Sequence, residues 1–293
     1  MEFTEQELAF AQVDDLTLQG VLYRPKVADD AALPVIIDVH GGAWSSGHRK
    51  SGQYYCRELA RRGLCVFAID FRQGPDHQHP AASADIAAAV RFVRTTDQLG
   101  ITPTSVNLIG SSSGGHLALL TALNPDSAAH STTPIAAYPG ERGEMVFALA
   151  PQTSARVDRV IALWPVSDPI ARYHYVLARL HEDPASWQNF TPDSLAAGHR
   201  AYFGDTATMQ AASIQQLLAT GSFTDLPVTL IVQPALDQNV PVFMSQTLLG
   251  AIEAAGGSAQ YQFYEDVGHA FAHVPGPQTA RCVDDIIAFL RST

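Results

Sequence analysis

The chain has 293 residues, 46 % of them hydrophobic, and its 18 lysines and arginines against 29 aspartates and glutamates leave a net charge of −11. That apolar content suits a globular protein with a sizeable core, and the negative excess argues against nucleic acid or an anionic membrane surface as the main partner. The opening Met1-Glu2-Phe3-Thr4-Glu5-Gln6-Glu7 lacks the basic and apolar regions of a secretory signal, and no apolar run approaches the ~18–20 residues of a membrane span, so a cytoplasmic setting is expected. In chain order, residues 13–23 read as strand material turning at Asp14-Asp15, followed by near-continuous apolar strands at 35–39, 64–69, 106–109, 160–164 and 228–232. A shorter, more aromatic strand follows at 261–264. Helical patterns fall between them at 52–62, 83–95, 115–123, 241–255 and 279–290. Strands apolar on both faces belong to a sheet covered on both sides, and their alternation with helices predicts a doubly wound, mostly parallel α/β sheet in one domain, 1–293.

Two stretches break this rhythm. Residues 132–153 are rich in Pro, Gly and Ala and read as loop. Residues 168–225 show helical patterns at 172–180, 192–203 and 208–220 but no good strand, as expected of a helical cap inserted over one end of the sheet. Its aromatics, Tyr173, Tyr175, Trp187, Phe190, Tyr202 and Phe203, suit either an aromatic substrate pocket or the insertion's own small core. Cys56, Cys65 and Cys282 are odd in number and lack CxxC spacing, which fits buried, reduced thiols better than a disulfide framework.

The chemistry concentrates in two turns. Gly110-Ser111-Ser112-Ser113-Gly114 fits G-x-S-x-G, with a strand running into it and a helix leading out. So tight a turn needs glycine at its flanks, strains the central backbone and exposes its Oγ near the positive end of the helix. The glycine spacing selects Ser112 as nucleophile over Ser111 and Ser113. His40-Gly41-Gly42-Ala43-Trp44 follows the strand 35–39. Its glycines let backbone N–H groups turn inward. Donors at Gly42 and Ala43, with Ser113 after the nucleophile, would form an oxyanion hole, each typically worth ~3–4 kcal/mol in acyl transfer. His40 is expected to fix the loop by hydrogen bonding, and Trp44 either lines the acyl pocket or anchors the loop in the core. Both are carried as substrate-pocket candidates.

The segments HGGAW, GSSSGGH and DVGHAF resemble the esterase and lipase branch of the α/β-hydrolases, close to hormone-sensitive-lipase-like carboxylesterases. HGGAW is even more similar to the HGG-x-W box of arylformamidases (kynurenine formamidases) and related small esterases, and Asp70-Phe71-Arg72 is similar to their D-Y-R segment. The resemblance runs from about Leu16 to the C-terminus, outside residues 132–153 and 168–225. It implies the α/β-hydrolase fold and the order Ser, Asp, His, each on a loop after a core strand. The acid loop matches at Asp237, with Pro234-Ala235 where Gly, Ser or His is more usual, and the base loop at Gly268-His269-Ala270-Phe271. Ser112, Asp237 and His269 would then hydrolyse a small ester or, equally within reach of one triad, an amide or formamide. Asp237 as a cap for the helix at 241–255 is the competing reading, though it lies four residues early. No cofactor is expected, and no metal: His269 and His273 follow a strand rather than lie on a helix beside carboxylates. The expected partner is a small-molecule ester or amide, with no nucleic acid and no membrane, and a homodimer is left open. A non-catalytic ligand-binding protein of the same fold is the alternative from another class.

Overall fold

The computed structural model describes residues 1–131, 136–137 and 153–292. Among these, nine strands form one sheet: β1 (Phe3–Val13), β2 (Leu16–Pro25), β3 (Ala31–Val39), β4 (Cys65–Ile69), β5 (Ile101–Ser111), β6 (Ala136–Ala137), β7 (Arg159–Leu163), β8 (Val228–Pro234) and β9 (Ala259–Tyr264). Their order is β6-β1-β2-β4-β3-β5-β7-β8-β9. The β1–β2 hairpin, the β2–β4 pair and the β1–β6 pair are antiparallel, whereas β4, β3, β5, β7, β8 and β9 all run parallel. This is the expected doubly wound, mostly parallel sheet.

Side-chain alternation explains why the strands read as unbroken apolar runs. Val35, Ile37 and Val39 of β3, with Cys65, Phe67 and Ile69 of β4, enter one core beneath α2 (Ala81–Thr95) and α3 (Ser113–Leu123). Ile36, Val66 and Ala68 point the other way, into a second core under α1 (Gln53–Arg61) and α9 (Pro277–Arg291). Each valine, isoleucine or phenylalanine among these, fully buried, contributes roughly 1.5–3 kcal/mol over its exposed state. All three cysteines are free and buried in these cores.

The first strand begins ten residues before Val13, in a polar, acidic segment that gives way to the buried Leu8, Phe10 and Ala11. Its outer half carries no apolar alternation because Glu5 and Glu7 face solvent, paired with Arg57 and with Arg49 and Lys50 respectively. Of the stretch 132–153, Ala136–Ala137 extend the sheet beside β1, and the rest, Thr153 apart, lies outside the described residues.

Between β7 and β8 come α4 (Pro169–Arg179), α5 (Pro192–Phe203), α6 (Thr206–Ala211) and α7 (Ile214–Thr220), ahead of α8 (Val242–Ala254). These helices divide in two. Val176, Phe190 and Ala196 form a small separate core with Tyr173, Tyr175 and Trp187. Met209, Ala212, Ile214 and Leu218 instead join the main core, as do Tyr202 and Phe203 at the end of α5, so α6, α7 and the last turn of α5 belong to the body of the sheet. Among the described residues no helix is long and apolar enough to cross a membrane.

β3 pairs with β4 on one side and β5 on the other, so the chain reverses its direction of winding at the β3/β5 boundary. A crevice opens beyond the carboxyl ends of strands at such a point. The loops that leave β3 and β5 there are His40–Trp44 and the Ser112 turn.

Candidate active site

Ser112 joins β5 to α3 with φ 55° and ψ −119°, a conformation that costs a non-glycine residue about 1–3 kcal/mol. Its backbone is clamped on both sides: its N–H donates to Leu163 (2.9 Å), and its carbonyl accepts from His116 (3.3 Å) and Val166 (3.1 Å). Gly114 is required by close approach, since a Cβ there would lie 2.1 Å from the Val39 carbonyl oxygen. The first turn of α3 therefore packs directly on the end of β3, bringing the two motif loops together.

A cavity of about 640 Å³ opens over this junction, lined by Gly41, Gly42, Ala43, Ser112, His269 and neighbouring residues. His269 Nδ1 donates to Asp237 Oδ2 at 2.8 Å, and Asp237 Oδ1 accepts from the N–H groups of Asn239 and Val240, each at 2.8 Å. The acid and base loops are also tied backbone to backbone, Ala235 to Tyr264 (2.8 Å) and Leu236 to Val267 (3.0 Å). Pro234-Ala235 is thus accommodated at the end of β8. Ser112 Oγ and His269 Nε2 make no hydrogen bond among the described residues; such contacts are often long before substrate arrives.

The loop after β3 holds three successive positive φ values, 126° at Gly42, 51° at Ala43 and 60° at Trp44. Only glycine fits the first: a Cβ there would lie 2.0 Å from the Ser46 carbonyl oxygen. Gly42 and Ala43 line the cavity, and neither N–H finds an acceptor among the described residues. The N–H of Ser113, first residue of α3, has no acceptor within its helix.

Neither substrate-pocket candidate lines the cavity. Trp44 is 1 % exposed and directed into the core, where it stacks parallel to Tyr202 and meets His199 and Phe203 edge-on. Its backbone N–H donates to Ser113 Oγ (3.2 Å) and its Nε1 to His116 Nδ1 (3.2 Å), while His116 Nε2 donates to the Ala212 carbonyl (2.8 Å). His40 is also drawn inward, stacked on Phe71 at 4.2 Å with Nδ1 on the Gly41 carbonyl at 2.8 Å. Burial pushes the His40 imidazole down to about 4 and that of His116 to about 3, so both are neutral struts of the loop.

The cap supplies what the sequence left unassigned. Its aromatics turn inward or away, Tyr202 and Phe203 to Trp44 and the others to their own core, and none of them lines the cavity. The wall is instead Arg172, Thr191, Ser194, Leu195 and Gly198, with Asn239 from the acid loop. Trp164 and His273 complete it beside His269; burial, with the neighbouring His269 adding to it, pushes His273 down to about 4. Nothing in the local sequence marks Arg172, because its burial depends on how α4 is docked. Among the described residues no cluster of His, Cys, Asp or Glu is arranged to hold a metal ion.

Comparison with known proteins agrees with this architecture. A profile of the BD-FAE family matches residues 21–252. The isoprenylcysteine alpha-carbonyl methylesterase of Arabidopsis thaliana is 23 % identical over 283 residues, 92 % of this chain and 58 % of that protein. Carboxylesterase NlhH of Mycobacterium tuberculosis is 30 % identical over 124 residues, 42 % of this chain and 38 % of that one. The chain thus spans well under two thirds of the length of these relatives. Among solved structures, an esterase of Pyrobaculum calidifontis superposes with a TM-score of 0.73 at 21 % identity, covering 97 % of this chain and 84 % of that one, a likeness of fold.

Proposed function

The chain belongs to the BD-FAE family and has the α/β-hydrolase fold, and from that premise we propose that it is a serine hydrolase of carboxylic esters. Ser112 Oγ attacks the ester carbonyl as His269 takes its proton, and the N–H groups of Gly42, Ala43 and Ser113 receive the oxyanion. Collapse of the tetrahedral intermediate transfers the His269 proton to the leaving alcohol. Water, deprotonated by His269 in turn, then releases the acid from Ser112. Asp237 orients the imidazole and stabilises its protonated form. The observation that carries this reading is the Asp237–His269 hydrogen bond on the same cavity as the strained Ser112 turn and the unpaired N–H groups of the Gly42–Ala43 loop. The relatives named as esterases support the choice of ester over other acyl substrates.

The test is hydrolysis of a short-chain p-nitrophenyl ester together with labelling by an organophosphonate. Ser112→Ala is expected to abolish both, and a label found on Ser111 or Ser113, or undiminished turnover by the variant, refutes the assignment. We further propose that the protein works on a small molecule without a cofactor, in a reducing compartment suited to its three buried free thiols.

A further inference from the structure

Arg172 lies on α4, is 1 % exposed, and is the only residue lining the described cavity that carries a permanent charge. No aspartate or glutamate lines that cavity, although the protein as a whole is strongly acidic. The guanidinium makes one hydrogen bond, from Nε to the Asn239 carbonyl at 2.9 Å. Nη1 is buried without an acceptor, and Nη2 has none among the described residues.

The obvious counter-ion is already committed. Asp237 attracts Arg172 through space, but its two oxygens serve His269 and the Asn239 and Val240 N–H groups, and no carboxylate lies within 4.0 Å of the guanidinium among the described residues. Burial pushes Arg172 down to about 10, which leaves it cationic at neutral pH. A buried guanidinium is costly unless its fork is filled. Holding the acid loop uses the Nε edge and leaves the terminal nitrogens, the edge best matched to a planar oxyanion, unfilled.

We propose that Arg172 receives a free carboxylate on the substrate, so that the enzyme acts on esters carrying a second, ionised acid group. This rests on the ester-hydrolase reading of the site. The carboxylate meets the guanidinium at Nη2, the unpaired terminal nitrogen that is not sealed in, while the ester carbonyl occupies the Ser112 turn of the same cavity. Serine and threonine hydroxyls from Ser194 and Thr191 flank that wall, which suits a polar substrate arm better than an aliphatic one.

The test separates binding from turnover. The Ser112→Ala protein is titrated calorimetrically near neutral pH with monomethyl glutarate and with dimethyl glutarate. The monoester, which alone carries a charge, is expected to bind at least about tenfold more tightly. Arg172→Met in the same background removes that preference, and Arg172→Lys, which keeps the charge without the fork, retains part of it. Equal affinities, no binding of the monoester, or a preference that survives Arg172→Met overturns the proposal. The two-ligand comparison with Arg172 intact stands even if the methionine variant does not fold. Organophosphonate labelling of the unmodified protein runs alongside: a label away from Ser112 overturns the hydrolase mechanism and leaves the binding result to decide the carboxylate site.

Discussion

In the proposed mechanism Asp237 acts through its hydrogen bond at 2.8 Å to His269 Nδ1, because that bond fixes which imidazole nitrogen is left free. Asp237→Asn keeps the size of the side chain but permits the wrong tautomer. Turnover of a p-nitrophenyl ester is expected to fall about 10³–10⁴-fold with little change in KM; a loss under tenfold would argue against the role. Trp44 acts at one remove, through packing. Trp44→Ala leaves a cavity between α5 and the loop after β3 and is expected to cost about 3–5 kcal/mol in urea unfolding, with turnover reduced as Gly42 and Ala43 lose their support. At this scale the sequence was legible where chemistry has a local signature. Ser112 and His269 stand in turns whose glycines announce the geometry. Trp44 and His40 stand in the same motif but face away from the cavity, because orientation across a tight loop is set by what packs behind it. Arg172 has no signature at all.

The elements were legible in proportion to their burial. β4 is apolar throughout, and β3 and β8 are nearly so over 35–39 and 228–232, where both faces are covered. β1, by contrast, gave no strand signal before Val13: its outer half carries solvent-facing glutamates, and Leu8, Phe10 and Ala11 alone make too short an apolar pattern. The stretch between β7 and β8 was legible as helices, yet which core each helix joins, with α5 contributing to both, depends on tertiary docking. One polar pair fastens the elements beside the site. Arg72, in the segment after β4, reaches Asp85 on α2 through Nε (3.0 Å) and Nη2 (2.8 Å), and its backbone N–H also donates to Asp85 at 2.8 Å. Asp85 is fully buried, and desolvation pulls its carboxyl upward against the pull of Arg72. Asp85→Ala leaves the guanidinium uncompensated and is expected to destabilise by about 3–5 kcal/mol in chemical denaturation. A change under 1 kcal/mol would mean that water replaces the carboxylate at little cost.

Across the whole molecule, burial holds several histidines neutral: His40, His79 and His273 near about 4, His116 and His199 near about 3. In the unfolded chain each titrates near 6.5. The unfolded state therefore binds more protons between those values, and the stability these groups contribute is full above about 6.5 and is lost as pH falls through the folded values. Each removes at most about 1.4 kcal/mol per pH unit within its window. Asp38, raised to about 6 by burial, works in the opposite sense, favouring the fold in acid, as does Asp85, but with His130 also pushed down by burial they are two groups against six. The urea midpoint is expected to drop markedly between about pH 7.5 and pH 5, and a midpoint that rose in acid would contradict the burial of these imidazoles.

The left-handed run from Gly42 to Trp44 has a cost that recurs in every folded molecule, whether or not substrate is present. Ala43 is held in a conformation that an L-residue enters at about 1–2 kcal/mol above its usual one, and glycine at that position would be released from most of this. Ala43→Gly is expected to leave thermal stability equal or higher while turnover declines, because the loop then samples conformations with its N–H groups turned away. Melting temperature and rate would move in opposite directions. On the proposed mechanism, robustness and catalytic power draw on the same three residues, so selection for a hardier protein would tend to erode its chemistry at this loop first.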